Sequence, residues 1–111
     1  MKYTLHITQK AESDIIKAAD YIEYNLLNPQ AADDLLDMTE EVLGKLTDMP
    51  QIHQFVEDPV LKAWGIRFVL INDYLAFYII NEDTNSVFIV RFLHGKRNWI
   101  AILKNEPITL G

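Results

Sequence analysis

The stretch that most constrains this chain runs from Val87 to Trp99. Val87 to Leu93 is a β-branched and aromatic run broken by one arginine, Arg91, and it opens into a turn holding His94, Gly95, Lys96, Arg97 and Trp99. Trp64-Gly65-Ile66-Arg67 begins a second apolar strand with its own lone arginine. A guanidinium in an apolar strand is costly to bury without a partner, so each arginine demands an anion, a backbone carbonyl or open solvent.

Strand parity turns this demand into geometry. The segments Ile66–Ile71, Tyr74–Asn81 and Ser86–Leu93 read as three strands, with Asn72-Asp73 as a two-residue hairpin turn and Glu82-Asp83-Thr84-Asn85 as the next turn. The tight turn sets Ile71 opposite Tyr74 and Arg67 opposite Tyr78. One face is then Ile66, Phe68, Leu70, Leu75, Phe77 and Ile79; the other is Arg67, Val69, Ile71, Tyr74, Ala76 and Tyr78. Placing Phe88, Val90 and Phe92 on the apolar face puts Ile89, Arg91 and Leu93 beside Arg67 and Tyr78. Both arginines are thus expected on one face, with Val69, Ile71, Ile89 and Leu93 forming an apolar patch around them that suits a partner. His94 lies past the regular strand, where parity gives no direction.

The first half supplies helices. Lys2 to Ile7 reads as a short strand ending at Thr8, a helix N-cap. Ala11, Ile15, Ala18, Ile22 and Leu26 form one amphipathic stripe, with Glu12, Asp14, Lys17, Asp20 and Glu23 as its wet face. Asn28-Pro29 ends that helix and caps the next, whose stripe is Ala32, Leu35, Leu36, Val42, Leu43, Leu46 and Met49, stopped by Pro50. Asp33, Asp34, Asp37, Glu41 and Asp48 make its solvated outer face. The residues between Gln51 and Ala63 show no period and read as a loop, and Ile100 to Leu103 as a short helix after Trp99. The order β-α-α-β-β-β with a small C-terminal element predicts an α+β fold. A helical hairpin packs on the apolar face of a largely antiparallel sheet and leaves the arginine–tyrosine face open.

Composition narrows the function. At 111 residues, the chain is one domain, residues 1–111. The absence of cysteine removes disulfides and thiolate chemistry, which fits a cytoplasmic protein. No apolar run approaches bilayer length, so no membrane role is expected. The net charge of −6 is uneven: residues 1–58 hold four lysines against twelve Asp/Glu, while residues 59–111 hold six Lys/Arg against four Asp/Glu. A protein gripping long duplex nucleic acid is far more basic. His6, His53 and His94 lack metal-ligand spacing, and the glycines build no phosphate loop, so neither a metal nor a cofactor is expected.

Taken together, the motifs resemble the RelE/ParE superfamily of toxins from bacterial type II toxin–antitoxin pairs. The resemblance is carried by Thr8, Ala11-Glu12-Ser13-Asp14-Ile15, Tyr21-Ile22, Asn28-Pro29, Gly65-Ile66-Arg67, Tyr74-Leu75-Ala76-Phe77-Tyr78, and Val90 through Trp99. It implies a cytoplasmic growth-inhibiting toxin, of the kind associated with plasmid stabilization, held silent by a cognate antitoxin, as a homodimer or a toxin–antitoxin hetero-oligomer. The His-Gly-Lys-Arg-Asn-Trp turn and the acidity are more similar to the ParE-like branch, which poisons DNA gyrase without being an enzyme. The RelE-like alternative, a metal-independent endoribonuclease cutting mRNA on the ribosome, implies Arg67, Arg91 and His94 as catalytic residues. The target- or antitoxin-binding set implied is Arg67, Tyr74, Tyr78, Arg91, Lys96, Arg97 and Trp99. A third reading is a non-toxic module that only binds antitoxin.

Overall fold

The computed structural model describes residues 2–110. Strand β1 (Thr4–Ile7) leads into helix α1 (Gln9–Asp20), which relaxes into a wide π-type turn over Tyr21–Asn25; helix α2 (Pro29–Lys45) follows. A short helix α3 (Pro59–Ala63) precedes strands β2 (Arg67–Ile71), β3 (Tyr74–Asn81) and β4 (Ser86–His94), and helix α4 (Trp99–Asn105) closes the fold. The sheet order is β1-β4-β3-β2, with β1 parallel to β4 and the other pairs antiparallel. This is the expected α+β architecture.

Local chemistry sets the helix ends. Thr8 Oγ1 accepts the Ala11 N–H at 3.2 Å, and Asn28 Oδ1 accepts that of Ala31 at 3.1 Å, with Pro29 in the first helical position. The 51–63 segment is less irregular than expected: Pro50–Ile52 makes a single 3₁₀ turn, and α3 starts at Pro59 with Asp58 accepting from Val60 and Leu61. Gly65, at φ +79°, then lets the chain reverse into β2.

Register matches the hairpin expectation: Arg67 faces Tyr78 and Ile71 faces Tyr74, with Asn72 at φ 53° in the turn. The four-residue turn after Asn81 also holds, pairing Asn81 with Ser86 and Ile79 with Phe88. Beyond it, a β-bulge intervenes. Ile89 faces Tyr78 and Arg91 faces Phe77, so Val90 is an extra residue. Parity past the bulge is reversed, and two expectations fall with it. Phe92 sits with Ala76 on the Tyr78 face, whereas Arg91 and Leu93 pair with Phe77 and Leu75 on the other. The two arginines therefore belong to opposite faces.

The helical hairpin also covers the opposite face from the one expected. Ala11, Ala18, Leu35, Leu43 and Leu46 pack on Val69, Ile71, Ala76, Tyr78, Val87, Ile89 and Phe92. Ala11 and Ala18 of α1 and Ala76 of β3 lie in this layer among the larger Tyr78 and Phe92, while shorter segments close the Phe77 face. There Val56, Leu61, Ile66, Trp99, Ile102 and Leu103 pack on Leu75, Phe77, Val90 and Leu93. Both faces are consequently core. Val69, Ile71, Ile89 and Leu93 are all buried, so the proposed exposed apolar patch does not exist.

Candidate functional site

The structure separates the predicted site residues into three places. Arg91 is 8% exposed and enclosed by carboxylates. Its Nε and Nη2 bind Asp14 at 2.6 and 3.1 Å, and its Nη1 binds Glu106 at 2.6 Å. Burial pulls the guanidinium pKa down, but the two carboxylates outweigh it and the net shift is upward. Asp14 also accepts the Phe92 N–H at 3.0 Å, where β4 runs past the end of β1. Asp14, assigned from the sequence to a wet helix face, is thus the anchor of the strand.

Arg67 and Tyr78 hold the 50–55 segment. Arg67 Nη1 donates to the carbonyls of His53 at 2.7 Å and Gln51 at 3.2 Å, and its guanidinium lies 3.9 Å from the Phe55 ring centre. Tyr78 is fully buried and its hydroxyl donates to Pro50 O at 2.7 Å. Burial pushes the Tyr78 phenol up to about 12, with Arg67 pulling slightly the other way. The folded-state value lies above the unfolded one, so this contribution to stability is complete below pH 10 and is lost as pH rises from about 10 to 12. Stability should therefore fall by up to about 3 kcal/mol across that window. Tyr78→Phe should remove that slope from denaturant titrations at high pH; an unchanged slope would contradict the assignment.

The third place is a groove of about 440 Å³ between α1 and the end of β4. Tyr74, His94 and Arg97 line it together with Lys17, Tyr21 and Phe92. Tyr74 stacks on Phe92 at 5.0 Å and meets the His94 ring edge-on at 5.1 Å. Burial, then the charge of Asp73, raises the Tyr74 pKa. His94 Nδ1 accepts the Lys96 N–H at 3.1 Å, which leaves Nε2 to carry the proton of the neutral ring. Gly95 donates to Asp73 O at 2.8 Å, closing the β4 turn onto the β2–β3 turn. A Cβ there would sit 3.4 Å from that oxygen, an ordinary contact, so the approach does not itself demand glycine. Lys96 is exposed. Trp99 lies across the sheet, half-buried against Phe77 at 5.3 Å.

Sequence reasoning missed Lys17 and Tyr21. Their spacing of four, three residues beyond Asp14, puts all three on one side of α1, but nothing local shows which sheet element lies opposite. Among the described residues, no group of three His, Asp or Glu is placed to hold a metal, and no helix is long and apolar enough to cross a membrane.

The fold recurs among solved toxins. The ParDE toxin–antitoxin system of P. aeruginosa superposes with a TM-score of 0.67 at 18% identity, covering 84% of this chain and 96% of that one. The E. coli toxin RelE, a double arginine-to-alanine mutant in the free state, gives 0.64 at 12% identity over 96% of this chain and all of that one. The RelBE2 toxin–antitoxin complex of Mycobacterium tuberculosis gives 0.58 at 21% identity, over 85% and 99%. No curated protein sequence matches the chain significantly. The fold is therefore that of the RelE/ParE toxins. The sequence model of the ParE toxin of type II toxin–antitoxin systems, parDE, matches residues 5–99, and the chain belongs to that family.

Proposed function

We propose that this protein is a growth-inhibiting toxin, silenced by a cognate antitoxin, that acts in the cytoplasm by binding DNA gyrase rather than by cutting RNA. The state of Arg91 carries the reading. Metal-independent cleavage of RNA needs a group to take the 2′-hydroxyl proton and free cations to stabilise the phosphorane. Arg91 is committed to Asp14 and Glu106, and Arg67 to backbone carbonyls on the opposite face. His94 lines a groove with Tyr74, Lys17 and Arg97, and neither arginine's guanidinium is free to act beside it. The ParE family match points the same way.

Induction from a tightly regulated promoter, with and without the adjacent antitoxin gene, tests the toxin. Growth arrest relieved by the antitoxin is expected, with gyrase supercoiling impaired in cell extracts and mRNA profiles intact. His94→Ala should leave the arrest largely unchanged. If mRNA is instead cut and His94→Ala slows cutting by roughly 100- to 10,000-fold, the ribonuclease reading replaces this one. Antitoxin binding without arrest would mark a non-toxic module.

A further inference from the structure

We propose that the tip of the helical hairpin, formed by Tyr24, Leu26 and Leu27, docks as an apolar knob in a cation-rimmed socket on gyrase. This placement rests on the reading of the chain as a gyrase-binding toxin. Tyr24 is 66% exposed, Leu26 57% and Leu27 80%, and all three fall within the short turn between α1 and α2. A lone exposed leucine is ordinary, but three large apolar side chains on one turn make a patch. The backbone is shaped to present them. The Leu26 N–H donates to Tyr21 O at 3.1 Å and the Asn28 N–H to Ile22 O at 3.1 Å, which widens the last turn of the helix. Leu27 then takes φ +53°, a left-handed conformation that glycine or asparagine adopts at lower cost. Glycine would make the same turn; leucine makes it and adds a side chain to the tip.

Charge selects the partner. Between Lys17 and Lys45 the chain has no Lys, Arg or His, but seven Asp or Glu. Four of these, Asp20, Glu23, Asp33 and Asp34, stand on the turns that adjoin the tip. The charge of Glu23, then partial desolvation and the charge of Asp20, raises the Tyr24 pKa, as expected for a phenol beside both acids. An anionic strand or an anionic membrane is repelled by this ring, and tip-to-tip pairing of two copies would set acids against acids. A protein socket with an apolar floor and Lys or Arg at its rim matches it. An enzyme that binds duplex DNA carries such cationic surface. The groove between α1 and β4 is lined by other residues, so the two surfaces can be altered separately.

Inhibition of purified gyrase in a plasmid supercoiling assay tests the tip, with calorimetric titration by the full-length antitoxin as the check on folding. Four purified toxins are compared with the wild type: Tyr24→Ser/Leu27→Gly, Leu27→Gly alone, Asp20→Lys/Glu23→Lys, and Leu70→Thr as an exposed apolar control on β2. Glycine takes the Leu27 backbone conformation freely, so Leu27→Gly keeps the turn. Tyr24→Ser/Leu27→Gly should need on the order of 100-fold more toxin for the same inhibition, as for loss of well-packed anchors, and Leu27→Gly alone about 10-fold more. The charge-reversed variant should also inhibit about 10-fold more weakly. Leu70→Thr should match the wild type, and all five should bind antitoxin equally. Inhibition by the tip or charge variants at wild-type concentrations, or an equal loss in Leu70→Thr, overturns the tip and leaves the gyrase reading intact. Antitoxin binding that weakens in step with inhibition makes the antitoxin or the fold the tip's charge and also overturns it. A wild type that leaves gyrase unaffected overturns both.

Discussion

Replacing Asp14 with alanine is expected to destabilise the fold by about 3–5 kcal/mol, because it strands a buried guanidinium. Arg91 would keep only Glu106, whose side chain is about half exposed. The Phe92 N–H would also lose its acceptor at the point where β1 stops covering β4. Glu106→Ala removes a wetter partner and should cost far less, about 1 kcal/mol or below. Paired urea denaturation curves measure both. A loss below about 1 kcal/mol for Asp14→Ala would show that solvent, not Asp14, satisfies Arg91. The double variant Asp14→Ala/Arg91→Met should recover part of the loss, since an apolar pair leaves no buried charge.

That ion pair marks where the sequence stopped being legible. Parity from the Asn72-Asp73 turn set Arg67 against Tyr78 and Ile71 against Tyr74, because a two-residue turn leaves no freedom of register. The caps at Thr8 and Asn28 were readable for a similar reason, each depending on residues three positions apart. Asp58-Pro59 carries the same signature as Asn28-Pro29, but five residues of α3 are too few to show a helical period. The bulge at Val90 has no local signature, and one extra residue reverses every side chain after it. The only sign was Arg91 itself, a charge in an apolar run whose partner lies far upstream on α1. Groove membership depended on the same reversal. Tyr74 and His94 belong to adjacent strand ends, and Lys17 and Tyr21 meet them only once the helices cover that face. The choice of face carried no such signal, since both faces hold large aromatic side chains, Tyr78 and Phe92 on one and Phe77 on the other.

Phe77→Ala probes that division and should have the other large effect. Phe77 is fully buried in the smaller core, among Leu61, Leu75, Val90 and Leu103, with Trp99 tilted against its ring at 39°. Truncation removes a ring from a layer whose cover is two short helices, and costs about 3–5 kcal/mol. That is a large part of the 5–15 kcal/mol typical of a whole domain, taken here as roughly the range for this one. A second consequence separates this core from the one under the helical hairpin. Trp99 opens α4 and loses its packing partner, so its emission should shift to the red before global unfolding. Recording this in a Trp64→Phe background removes the other, half-exposed indole. Phe92→Ala, on the opposite face, should be comparably destabilising yet leave Trp99 emission unchanged in the folded state. Equal shifts in the two variants would mean that the two faces do not pack as separate layers.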